Sequence, residues 1–274
     1  MNKDVIVAMV PGTRRDLLKL FQKHQISGVP VVKAEDGRLI GLVTSKDLFR
    51  HSEETQLAMI MTKNPVTVLP ETSLCEVISI MVENRYHRII VAEQEKVVGI
   101  ITPADILPHM ENSGMDRPVE EYVKKRTVPV FEETPVFIAW KILKISGAYA
   151  LPVLGSDGKI AGIVTDRDFF RVSSVGTTTR LSSMGLDEDE DMWSWESLKN
   201  LVKVHYEVSD LDLPTGPLKA IMIKNPMTVL QGTPVWKAAQ IMNKFNIRIL
   251  PISDAEDNLI ASISDIDVIS AILD

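Results

Sequence analysis

One short phrase recurs four times along the chain and constrains its architecture more than any other feature. It reads Gly41-Leu42-Val43-Thr44-Ser45-Lys46-Asp47, then Gly99-Ile100-Ile101-Thr102-Pro103-Ala104-Asp105, then Gly162-Ile163-Val164-Thr165-Asp166-Arg167-Asp168, and last Ala261-Ser262-Ile263-Ser264-Asp265-Ile266-Asp267. In each copy an apolar run ends in Thr or Ser, and an Asp follows three positions later, where an apolar helical pattern begins. That order predicts a strand, an abrupt stop and a helix N-terminus. A second Thr precedes each copy at nearly constant spacing: Thr13 before Thr44, Thr72 before Thr102, Thr134 before Thr165, Thr233 before Ser264. Such regular self-similarity marks a single unit of strand, helix, two strands and helix, used four times.

Local signals fill in the unit. Asp4 to Val10 alternates as a short strand, and Leu17, Leu18, Leu20 and Phe21 give one helical face. Ser27 to Val32 and Leu39 to Val43 read as a strand pair across the Glu35-Asp36-Gly37 turn. In the second copy Val66 to Leu69 is the first strand, Ser73-x-x-Glu76 a capping box, and Arg88 to Ala92 and Val97 to Ile101 the strand pair. Copies three and four place Thr134 and Thr233 at the N-cap with Pro135 and Pro234 at the first helical position. The expected divisions are 1–55, 56–113, 114–173 and 217–274 for the repeats, with 174–216 inserted before the fourth. Cys75, the one cysteine, excludes a disulfide framework and is expected in the core of its apolar helix.

Charge narrows the function classes. The chain carries a net −7, which disfavours general affinity for nucleic acid. Residues 174–216 account for most of it, with three basic and nine acidic side chains. Within them the run Asp187 to Asp191 precedes Trp193 and Trp195, and Leu198, Leu201, Val202 and Tyr206 lie near one helical face. An acidic run suits the positive end of such a helix. The same aromatic and acidic mixture also suits a partner-docking element, and both readings stand. The start Met1-Asn2-Lys3-Asp4 shows no basic leader, and no apolar run approaches the length that spans a bilayer, so no membrane and a cytoplasmic protein are expected.

Chemically, each phrase presents a hydroxyl at the N-cap and a carboxylate at N3, beside backbone N–H groups without intrahelical acceptors. Such a helix start suits phosphate, and a carboxylate there can accept hydrogen bonds from ribose hydroxyls. The same spacing is a variant of the capping box, a purely structural device. The copies alternate in charge. Lys46 and Arg167 lie inside phrases one and three, whereas repeats two and four carry Arg88 and Arg248 at the head of the second strand, where one and three have Ser27 and Tyr149. Arg50 and Arg171 sit three residues after Asp47 and Asp168, at ion-pair spacing. His24, His51, His109 and His205 have no metal-ligand spacing, and no nucleophile elbow, P-loop or zinc signature occurs. Nothing here points to an enzyme.

The unit resembles the cystathionine-β-synthase (CBS) domain. Four copies look like two tandem CBS pairs, or Bateman modules, similar to the γ subunit of AMP-activated protein kinase. The resemblance implies an α+β fold, with a helical acidic insert before the fourth repeat. It implies a regulatory protein that binds AMP, ADP, ATP or a related adenosyl compound non-covalently between paired repeats, and that acts on a protein partner as a monomeric disc or a homodimer. Its ligand residues would be Thr44, Lys46 and Asp47; Thr102 and Asp105; Thr165, Arg167 and Asp168; Ser264 and Asp267; and Arg248. The Tyr86-His87-Arg88 stretch looks like the family's His-Arg phosphate motif, so His87 and Arg88 join the set. Apolar groups near Val10, Leu69, Phe131 and Leu230 would enclose the base. The fourth phrase departs from the pattern at Ala261 and Ser264, and anionic ligands are expected to prefer sites one and three. S-adenosylmethionine sensing and a ligand-free scaffold are the alternatives.

Overall fold

Alternation along the apolar runs decides where each sheet forms. A computed structural model describes all residues except 25, 52, 53, 112, 113 and 184–202. Repeat one consists of β1 (Ala8–Val10), α1 (Arg14–His24), β2 (Gly28–Lys33), β3 (Leu39–Thr44) and α2 (Ser45–Arg50). After α3 (Leu57–Ile60) and β4 (Thr62–Lys63), repeat two follows as β5 (Thr67–Val68), α4 (Leu74–Asn84), β6 (Ile89–Glu93), β7 (Lys96–Ile101) and α5 (Pro103–Met110). Repeat three is β8 (Val130–Phe131), α6 (Val136–Ser146), β9 (Ala150–Leu154), β10 (Ile160–Thr165) and α7 (Asp166–Val172). The insert contributes β11 (Ser174–Ser183) and β12 (Lys203–Asp212), and β13 (Ile223–Lys224) leads to repeat four. That repeat is β14 (Val229–Leu230), α8 (Val235–Phe245), β15 (Ile249–Ser253), β16 (Leu259–Ser264) and α9 (Asp265–Ile269).

In every repeat the first strand runs parallel to the second, because a helix connects them, and the hairpin pairs the second antiparallel to the third. The paired repeats also exchange edges. β4, which precedes repeat two, adds to β3 of repeat one, while Asn2 bridges to Ile100 of repeat two. β13 adds to β10 in the same way. Pairing is reinforced where Leu39 N–H donates to the Glu95 carbonyl at 2.8 Å, and where Lys159 reaches Asn258 at 2.9 Å.

The repeats close a ring in the order one, two, four, three. Repeats two and four share one apolar core, in which Val77, Ile78 and Met81 of α4 and Ile106 and Met110 of α5 meet Val235, Ala238 and Met242 of α8. Repeats one and three keep separate cores, around Leu17, Leu18 and Phe21 in one and Trp140, Leu143 and Phe169 in the other. They meet through polar contacts, Ser45 Oγ to Asp166 at 2.8 Å and Gln22 to the Ser173 carbonyl at 3.4 Å.

Several expectations are corrected. Cys75 is exposed, in the first turn of α4 and outside its buried residues Val77, Ile78 and Met81. The first strands are shorter than the apolar runs. The helices α6 and α8 begin one residue late, with Pro135 and Pro234 at the cap positions. In the insert, Tyr206 lies on strand β12, paired with Arg180, rather than on a helix. Leu198, Leu201, Val202, Trp193 and Trp195 lie outside the described residues. Among the described residues, no helix is long and apolar enough to cross a membrane.

Candidate functional site

All four phrases fold as capping boxes, and each uses one carboxylate oxygen to do so. Oδ2 of Asp47, Asp105, Asp168 and Asp267 accepts the backbone N–H of Thr44, Thr102, Thr165 and Ser264 at 2.8, 2.9, 2.9 and 3.1 Å. The hydroxyls of the same four residues donate to it at 2.7, 2.9, 2.7 and 2.6 Å. The structural and the ligand readings are therefore compatible: capping takes one oxygen and leaves Oδ1.

The four Oδ1 atoms have different fates. That of Asp47 lies 3.5 Å from the Thr62 hydroxyl. Asp105 Oδ1 faces the Met1 ammonium at 3.1 Å. Asp168 Oδ1 pairs with Arg171 at 3.1 Å, the expected ion pair three residues on; the Arg50 side chain lies outside the described residues. Asp267 Oδ1 accepts from Arg85 of repeat two at 2.6 Å, and the residue is 2% exposed.

Strand pairing brings the heads of the four second strands to the middle of the ring. These are Ser27, Arg88, Tyr149 and Arg248. Arg88 and Arg248 both donate to the Ser27 hydroxyl, at 2.8 and 3.4 Å. Arg88 lies across Gly28, where a Cβ would stand 1.8 Å from its Nη1, so only glycine allows this approach. Burial and the neighbouring Arg248 push the Arg88 guanidinium down to about 10. Burial and Arg248 likewise lower Arg167, whose buried Nε has no hydrogen-bond partner. Three guanidiniums gathered in a partly desolvated centre need counter-charge, because like charges brought together out of water repel.

The residues just after the cap in phrases three and four supply two of those counter-charges. Asp166 accepts from Ser45, and Asp265 lies 3.7 Å from Arg248 Nε and 3.1 Å from His87 Nδ1. Burial pushes His87 below its ordinary value, against the opposing charge of Asp265. Its ring packs edge-on against Tyr149 at 4.0 Å, and Lys46 Nζ stands 4.0 Å above that same tyrosine.

Among the described residues, two cavities at the centre join a phrase carboxylate to arginines. One of about 390 Å³ pairs Thr102 and Asp105 with Arg88 and Arg167, and Val5, Ile6 and Ile26 form its apolar wall. The other, about 250 Å³, pairs Thr165 and Asp168 with Arg167 and Arg248, walled by Ile163, Ile223 and Ile247. The space at Ser264 and Asp267 is only about 50 Å³. Small-ligand pockets hold roughly 300–1,000 Å³, so the first cavity is large enough, the second is close, and the last is not. Phrase two has no basic residue of its own, yet its cavity holds two arginines, Arg88 from the strand head of the same repeat and Arg167 from repeat three. Leu69, Phe131 and Leu230 are exposed and line neither cavity.

The CBS domain family matches residues 1–54, 57–112, 119–175 and 218–274. The chain belongs to the CBS domain family. A 17.7 kDa protein of Acidianus ambivalens is 36% identical over 118 residues, 43% of this chain and 72% of that one. Protein MJ1225 of Methanocaldococcus jannaschii is 24% identical over 189 residues, 62% of this chain and 67% of its own. The MJ1225 crystal structure superimposes with a TM-score of 0.76 at 18% identity, covering 99% of this chain and 97% of that one. A Pyrococcus horikoshii protein superimposes with a TM-score of 0.62 at 25% identity, covering 98% and 96%.

Sequence reasoning missed one recurring contact between paired repeats. Met61 and Met222 lie over Gly41 and Gly162, where a Cβ would meet their sulfurs at 2.6 and 2.5 Å. The signal was present, in Met61-Thr62-Lys63-Asn64-Pro65 and Met222-Ile223-Lys224-Asn225-Pro226. It went unread because the methionines lie at the starts of repeats two and four, and reach Gly41 and Gly162 of the paired repeats only through edge exchange.

Proposed function

We propose that this CBS protein is a non-catalytic regulatory sensor of an adenine nucleotide, AMP, ADP or ATP. One observation carries the reading: in two cavities a carboxylate suited to ribose, Asp105 or Asp168, stands opposite arginines suited to phosphate. The base would lie against the isoleucine walls, the ribose would hydrogen-bond to Oδ1, and the phosphates would reach Arg88, Arg167 and Arg248. Of the four phrases, those at Asp105 and Asp168 are the ones we propose as principal sites. Thr44, Lys46 and Asp47 form a further candidate, and His87 acts as a support behind Arg248 through Asp265. S-adenosylmethionine fits less well, because its sulfonium would approach a centre that is already cationic.

Native mass spectrometry of the purified protein reads any retained ligand directly. A thermal melt completes the test: nucleotide at about a hundred times its dissociation constant should add about 2.7 kcal/mol per occupied site. Ligand-free protein whose melting is unmoved by millimolar AMP, ADP or ATP would leave the scaffold reading in its place.

A further inference from the structure

The ribbon that follows repeat three is a sheet of its own. β11 and β12 pair antiparallel over their full length, from Ser174 opposite Asp212 to Ser183 opposite Lys203. Among the described residues, neither outer edge of this ribbon joins another strand. A lone two-stranded ribbon is marginally stable in water, and each free edge presents a row of unpaired N–H and C=O groups. The two edges differ in sequence. β12 carries Lys203, His205, Glu207, Asp210 and Asp212, and charged residues of this kind disfavour further pairing. β11 has one charged residue, Arg180, and no proline, and its Val175 and Thr177-Thr178-Thr179 are β-branched residues suited to a paired strand.

We propose that the chain dimerises through this ribbon, β11 pairing edge to edge with β11 of a second copy, antiparallel about a two-fold axis at Thr178. In that register β11 is complementary to itself. Val175 stands opposite the partner's Leu181, Thr177 opposite the partner's Thr179, Ser174 opposite the partner's Ser182, and Arg180 opposite the partner's Gly176. Apolar residues thus meet apolar ones and hydroxyls meet hydroxyls, and the one charge meets no like charge. A shift of one residue would set Val175 against the partner's Ser182 and Leu181 against the partner's Gly176, and lose that match. The product is a four-stranded sheet with the charged β12 on both outer edges, so association closes at two copies. Antiparallel pairing leaves the two rings at opposite ends of strands roughly 33 Å long, and the dimer needs no contact between them. The proposal holds whether or not the cavities take nucleotide.

Analytical ultracentrifugation and cysteine cross-linking of the intact chain test the idea. Wild type should sediment near twice the 30.5 kDa of one chain. In a Cys75→Ser background, Thr178→Cys would meet its own copy across the axis. Opposed Cα atoms of an antiparallel pair lie about 4.5–5.5 Å apart, within disulfide range, so mild oxidation should link this variant into a covalent dimer. Ser182→Cys would lie about 27 Å from its own copy and should stay unlinked, but should link when mixed with Ser174→Cys. Thr178→Lys and Thr178→Glu each oppose like charges at the axis, so each should shift the protein toward monomer, and mixing the two should restore the dimer. A monomeric wild type refutes the proposal. So does equal linking of Thr178→Cys and Ser182→Cys, or a dimer that both charged variants leave intact.

Discussion

Arg85 of α4 donates to Asp267 of α9 at 2.6 Å, and so ties repeat two to repeat four. The carboxylate occupies the position that faces a cavity in repeats two and three, yet here its second oxygen is held by an arginine of another repeat and the space beside it is only about 50 Å³. Arg85 reaches it from a left-handed backbone, φ 55°, at the end of α4. That conformation costs a non-glycine residue about 1–2 kcal/mol, which the ion pair offsets. In the fourth repeat, the phrase acts as a fastener.

Asp267→Ala should accordingly behave as a stability variant. It strands Arg85 and removes the cap of α9, and breaking a shielded pair costs roughly 3–5 kcal/mol. Urea denaturation should show that loss, with AMP affinity of the folded protein unchanged. A loss below about 1 kcal/mol would mean the pair acts as a screened surface contact.

Gly28→Ala should weaken AMP binding with little effect on adenosine. The new methyl would displace Arg88 from its place beside Ser27. A hydrogen bond to a charged group contributes about 1.5–3 kcal/mol, or roughly ten- to a hundredfold in affinity. Equal losses for AMP and adenosine would place the damage in the fold.

Stability should fall as pH drops below about 6.5, the ordinary histidine value. His87 is held below that value chiefly by burial, so the unfolded chain binds the proton first. Its contribution is complete above the unfolded value and is lost as pH falls through the folded one. His87→Gln should flatten this part of the stability profile from pH 7 to pH 5. An unchanged slope would assign the acid sensitivity to other groups.

The two seams of the ring should differ in strength. Met81→Ala, in the core shared by repeats two and four, should cost about 2–5 kcal/mol. Ser45→Ala, at the polar seam between repeats one and three, removes one hydrogen bond and should cost about 1 kcal/mol. Comparable losses in denaturant melts would contradict the asymmetry.

The sequence by itself determined whatever depends on neighbours three or four residues apart. The capping boxes at Thr44, Thr102, Thr165 and Ser264, the helical faces and the strand pairs all follow from local spacing, and regular recurrence was enough to count four repeats. Charge alternation likewise marked Arg88, Arg167 and Arg248. Tertiary structure alone decided which carboxylates have room and charge beside them. Phrase two looked poor in basic residues, but Arg88 and Arg167 enter its cavity from the strand head of its own repeat and from a repeat across the ring. The partner of Asp267 lies 182 residues away along the chain. No spacing rule reaches across such separations, because the packing of the repeats sets those contacts and local backbone geometry does not.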